Sequence, residues 1–214
     1  MRTAPTFNKG DIHMAVTQRV LSCNNQKAKA ILQGTLHTAA ETDRIVATTN
    51  MKVGAYDLAA QPYCPSFITV TTTASGTADT QGTITVVGTD IFGTTRTDTI
   101  VPVAGTTVSG TIYFKTVTSV TGAGWVIDAG AGNDTIVVGV PASGGLYTRG
   151  LPVTVGVITG NFWFNPITTA VADTTAIPLI AGDTLENIIP AGNSALSIIS
   201  DSSGGTFYAI VWDV

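Results

Sequence analysis

Charge is what this sequence lacks most. Asp, Glu, Lys and Arg make up 11% of its 214 residues, against about a quarter in ordinary soluble domains. A chain with so few charges has little to keep it dispersed as single copies, which points to an assembled state. Cysteine is scarce as well. Cys23 and Cys64 are too few for a disulfide framework and fit no zinc spacing, so both are expected as free thiols. The histidines, His13 and His37, have no acid or cysteine at a spacing that completes a metal site, and each is read as a surface or singly hydrogen-bonded side chain. No apolar run reaches the ~18 residues of a membrane-crossing helix, and the opening MRTAPTFNKG has no apolar core of the signal-peptide kind. Gly10 to Met14 looks like translated vector sequence, with Met14 as the natural start.

Reactive motifs are missing too. The chain has no Gly-x-Ser-x-Gly elbow and no Walker-type phosphate loop. Acid pairs such as Asp183 and Glu186 could flank a glycosidic bond, but Asp183 follows Gly182 in a turn-like stretch, and a solvated loop accounts for both. Neither enzymatic activity nor a cofactor is expected.

What is abundant is threonine, glycine and β-branched residues. The stretch 83–120 holds three runs dense in Val, Ile, Thr, Tyr and Phe, cut by glycine-bearing turns in the manner of a meander. Ile84 to Val87 leads through the tip Ile91-Phe92-Gly93 into a return strand over 94–101, and a longer connection over 102–110 leads to Thr111–Val120. In that last run Ile112, Phe114 and the later valines share one face, while Thr111, Tyr113 and Lys115 share the other. Further strands are expected at Phe67–Thr73, Trp125–Ile127, Thr135–Val140, Leu151–Thr159, Asn161–Phe164, Ala176–Ile180, Ser194–Ile199 and Thr206–Val214. Both faces of the last are apolar, which places it mid-sandwich or beneath another subunit. Long helices are absent, although Gln26–Gln33 has a short helical flavour, and Val16–Leu21 and Ile45–Ala47 read as strands. The fold class is therefore all-β, an antiparallel β-sandwich or jelly-roll-like body with an extended N-terminal arm. Residues 1–65 are expected as arm and proline-bearing linker, 66–140 as a sandwich-like domain, and 141–214 as a second β-rich region, either its own domain or part of the same sandwich. The boundary is expected at Pro141–Gly145.

Charge is unevenly placed. Through Lys52 seven cations face three acids, and beyond it three cations face eleven acids, for a net −4. A basic leader on an acidic body suggests that Arg19, Lys27, Lys29, Arg44 and Lys52 dock on an acidic partner. These cations are scattered and lack interleaved aromatics, so nucleic acid is not the expected partner. Deleting residues 14–52 is expected to leave a folded body that no longer binds. Phe162-Trp163-Phe164, with Tyr147, forms an aromatic cluster suited to core or subunit packing, or to receptor binding. Gly130 to Ile136 resembles one half-repeat of a calcium-binding β-roll, but one copy cannot share an ion between turns, and a plain turn is preferred.

The segment from Gly82 to Val140 resembles a β-rich module common in virion structural proteins of tailed bacteriophages. The resemblance is carried by Val-Gly-Thr-Asp at 87–90, Thr-Asp-Thr-Ile at 97–100 and Phe-Lys-Thr-Val-Thr-Ser-Val at 114–120. It covers somewhat more than a quarter of the chain and implies a component of head, neck or tail, with no catalytic residues. Within that class the preferred expectation is a capsid decoration or cement protein. It would assemble in the host cytoplasm, lie on the outer surface of the head, bind the major capsid protein and associate with itself as a dimer or trimer, with no membrane partner. A tail-tube or neck component, and a receptor-binding fibre module using the aromatics at 147–164, are the alternatives.

Overall fold

The computed structural model describes residues 27–36, 39–73, 80–126, 134–166, 176–190, 195–201 and 204–213. The described residues form strands and no helix. In chain order these are β1 Lys27–Leu36, β2 Glu41–Asn50, β3 Gly54–Tyr56, β4 Thr69–Thr73, β5 Thr83–Thr89, β6 Thr95–Ile100, β7 Thr107–Ser109 and β8 Thr116–Ala123. They continue with β9 Thr135–Val140, β10 Gly144–Leu146, β11 Val153–Thr159, β12 Asn161–Asn165, β13 Ile177–Ile180, β14 Thr184–Ile188, β15 Leu196–Ser200 and β16 Gly205–Asp213. All pairings between them are antiparallel.

Four sheets of four strands result, in the orders β2-β9-β4-β7, β3-β8-β5-β6, β1-β16-β11-β14 and β10-β15-β12-β13. Alternation explains their pairing into two sandwiches. Along β5, Ile84, Val86 and Gly88 are buried while the residues between them are half-exposed, so each strand offers one apolar face. The first two sheets enclose a core that includes Ile45, Ile68, Val86, Phe114, Val120 and Val138. The last two enclose a second core built on Leu32, Leu146, Val155, Phe162, Phe164 and Phe207.

Chain order and sandwich membership do not coincide. β1 pairs along its length with β16, from Lys27 opposite Asp213 to Leu36 opposite Gly205. The first strand thus belongs to the second sandwich, and β2 to β9 form the first. Pro141 to Ser143 lie between β9 and β10, where the sequence places a boundary. The arm expected over 1–65 is corrected for its second half: residues 27–36, 41–50 and 54–56 are strands, with Leu32, Leu36, Ile45, Val46, Met51 and Tyr56 buried. The helical flavour of Gln26–Gln33 is overturned for the same reason. Ala, Lys, Leu and Gln favour helix only weakly, and pairing with β16 overrides that preference.

The meander also needs correcting. β6 returns beside β5 as a hairpin, but β8 pairs with the opposite edge of β5. The intervening segment crosses to the facing sheet, where β7 pairs with β4. Its residues Thr107 to Ser109 are too few to read as a strand from sequence. Val16–Leu21, His13, His37, Cys23 and Arg19 lie outside the described residues. Cys64 is a free, buried thiol in the second core. Burial pushes its pKa up to about 12, so it stays neutral and unreactive at physiological pH.

Candidate interaction surfaces

Asp90 and Asp98 both turn inward onto backbone. Asp90 ends the hairpin between β5 and β6: its Oδ1 accepts the N–H groups of Phe92 and Thr94, each at 3.0 Å. Asp98 on β6 accepts the N–H of Thr111 at 2.7 Å and of Ile112 at 3.2 Å, fixing the approach to β8. Carboxylates that satisfy turn amides in this way are structural.

The Asp90 turn also joins the sandwiches. Its Oδ2 accepts Arg149 Nη2 at 2.6 Å, Arg149 lies over the Phe92 ring at 4.7 Å, and Ile91 at the hairpin tip is buried in the second core. Nearby, the Gly145 N–H donates to the Pro65 carbonyl at 2.8 Å. Arg149 has φ 57°, a left-handed backbone that non-glycine residues adopt rarely, and its side chain turns back onto Asp90. A cleft of about 350 Å³ opens beside this contact, lined by Lys29, Phe92, Arg149 and Leu151. The Asp90 side chain is 7% exposed and that of Arg149 42%, so solvent weakens the ion pair and the two amides matter more. Asp90→Ala is expected to cost about 2 to 3 kcal/mol in chemical denaturation, and Arg149→Ala clearly less. Equal, small losses from both would show that the turn does not depend on the carboxylate.

The expected docking cations have different fates. Lys27 and Lys29 are exposed on β1, the margin of its sheet, and Lys29 makes a solvent-exposed pair with Asp213 at 3.1 Å. Arg44 is committed within the chain: its guanidinium lies 3.2 Å from the Tyr63 ring centroid, Nε donates to the Gln61 carbonyl at 2.7 Å, and Glu41 is 3.5 Å away. Lys52 is exposed near the Tyr56 ring. Arg44 is therefore removed from the docking set.

The aromatic cluster divides by alternation. Phe162 and Phe164 are fully buried and pack against Phe207, with ring centroids 5.5 and 6.5 Å apart. As receptor contacts these two are corrected: they are core. Trp163 points to the other side of β12, half-buried, with Ile199 and Pro178 opposite it on the flanking strands, and Tyr147 is half-buried.

Other candidates resolve as structure. Asp183 accepts the Ile180 N–H at 3.1 Å in the turn between β13 and β14, and Glu186 lies exposed on β14. Sequence reasoning missed β14, which has only Leu185 and Ile188 packed inward. Asp134, from the glycine-rich stretch, is buried and accepts Gln81 Nε2 at 2.6 Å; residues 130–133 lie outside the described set. Among the described residues no three of His, Cys, Asp and Glu gather as a metal site.

No protein-family model matches the chain, and no curated protein or solved structure matches it either.

Proposed function

We propose that this chain is a structural protein of a tailed-phage particle, a capsid decoration or cement protein that lies on the outer head lattice and strengthens the shell. The observation that supports this most is the margin of β1, which among the described strands pairs only with β16. Lys27 and Lys29 stand exposed there, directly after the basic leader, on a body whose remaining charge is acidic. A cationic margin of this kind suits an acidic groove between major capsid subunits. Weak contacts repeated over many copies give strong total attachment, so no single deep pocket is needed. The receptor-binding alternative is narrowed to Trp163 and Tyr147, since Phe162 and Phe164 are core.

The test uses heads stripped of this protein. The chain should rebind, and a Lys27→Glu, Lys29→Glu variant with an unchanged thermal transition should lose about tenfold in affinity at low salt. The loss should shrink as ionic strength rises, because the exposed charges are screened within about 10 Å at 0.1 M. Full occupancy by the variant at low salt would overturn the role given to β1.

A further inference from the structure

Two irregularities of the backbone deliver two cations to one place, the cleft of about 350 Å³ that Lys29, Phe92, Arg149 and Leu151 line. Arg149 and Gly150, with φ of 57° and 77°, form the centre of a turn that the Leu151 N–H closes onto the Thr148 carbonyl at 3.1 Å. Turns with two left-handed central residues favour Asn, Asp or Gly, so the long Arg149 side chain is held there against preference. Lys29 is the extra residue of a bulge. Ala28 lies opposite Trp212 and Ala30 opposite Val211, and Lys29 between them has no register partner. A bulge of this kind re-aims a side chain out of the regular alternation.

Both cations keep donors to spare. Arg149 uses only Nη2, toward Asp90 and Thr94, so the three N–H groups on Nε and Nη1 have no partner among the described residues. Asp90 does not compete for them: its side chain is 7% exposed, and its other oxygen is taken by the Phe92 and Thr94 amides. Lys29 meets Asp213 at 3.1 Å, with side chains 47% and 54% exposed. Pairs of that kind are weak in water, and one acceptor leaves two of the ammonium's N–H groups free. The rest of the wall is apolar, from the half-buried Phe92 ring and Leu151. No acid is among the four side chains that line the cleft.

We infer that this cleft binds an organic carboxylate carried on an apolar body, the anion held by Arg149 and Lys29 and the body laid against Phe92 and Leu151. Guanidinium and ammonium donors make charge-assisted hydrogen bonds to a carboxylate, whereas an inorganic anion would leave the apolar wall uncovered. The volume lies at the lower end for small-ligand sites, which occur preferentially where two domains meet. Two sources supply such a group: a free small acid, or a Glu side chain beside an apolar residue of another protein. Nothing in this site depends on a place in a phage particle.

Heteronuclear NMR of the full chain at low salt tests it, with 3-phenylpropionate and the blocked dipeptide acetyl-Leu-Glu-amide as probes of the two sources. At least one should shift the Arg149 Nε–H and the Phe92 and Leu151 amides saturably, with a dissociation constant of about 1 mM. The tighter of the two identifies the source. The uncharged counterparts, 3-phenylpropanamide and acetyl-Leu-Gln-amide, should bind at least about tenfold more weakly. Lys29→Gln changes an exposed side chain, so its thermal transition should match wild type while affinity falls about threefold. Adding Arg149→Gln should abolish the shifts in a chain whose circular dichroism still reports strands. The absence of saturable shifts from both acids up to about 20 mM overturns the inference. So does equal binding of the uncharged counterparts, or an affinity unchanged by Lys29→Gln.

Discussion

A chain lacking residues 14–52 is expected not to fold. The deletion removes β1 and β2, one strand from each sandwich, together with the buried side chains of Leu32, Leu36, Ile45, Val46 and Met51. Fully burying one such side chain contributes about 1.5 to 3 kcal/mol, so the five together contribute roughly 10 kcal/mol, comparable with the whole stability of an ordinary domain at about 5 to 15 kcal/mol. The damage exceeds lost area. Without β1 the whole length of β16 becomes a sheet edge, and without β2 the same happens to β9. Long apolar edges of that kind recruit other chains. Circular dichroism on heating should show no cooperative transition, and limited proteolysis should leave no protected fragment. A cooperative melt with a β spectrum would mean that β1 and β2 are ornaments on self-sufficient sheets. Deleting 14–26 instead leaves every described strand in place and is the appropriate truncation for asking what the leader does.

Phe207→Ala is expected to be the most damaging single substitution in the second sandwich. Phe207 is fully buried on β16, edge-on to Phe162 and Phe164 of the facing sheet, and a Cβ added at Gly34 of β1 would meet its ring at 2.7 Å. One ring therefore fills the space between three strands of two sheets. Removing it leaves a cavity that rigid strands cannot collapse into, at a cost of about 3 to 5 kcal/mol, or roughly 10 °C in the melting temperature for a protein of this size. The loss should fall on the second sandwich: calorimetry should show its transition lowered and, where the transitions separate, the first sandwich's little changed. Trp163→Ala removes a larger ring from the outer side of β12 and should cost clearly less. Similar losses for the two would mean that the outer face of β12 is as enclosed as the core.

The comparison of Phe162, Trp163 and Phe164 shows what sequence could and could not supply. Period-two alternation already puts the outer pair on one face and Trp163 on the other; reading the three as one cluster ignored it. The same alternation made β5, β6 and β16 legible, and one of the two apolar faces of β16, that of Phe207, Ala209 and Val211, is buried in the second core. β1 was misread because its composition favours helix while its structure comes from a partner strand far along the chain. β14 was missed because few of its residues face the core. The pairing of Arg149 with Asp90 spans 59 residues and leaves no local mark. Arg44 looked like a free cation because nothing in the sequence announces that Tyr63 will lie beneath it. Long-range contacts decide these cases, and local propensity is silent about them.

The proposed position on a phage head is tested most directly by electron microscopy of particles from the same source. Regular knobs over the head lattice, each fitted by a pair of sandwiches with β1 turned toward a seam between major capsid subunits, is the result predicted here. Density confined to the neck, tail tube or fibre tips, or none on the particle, would contradict it.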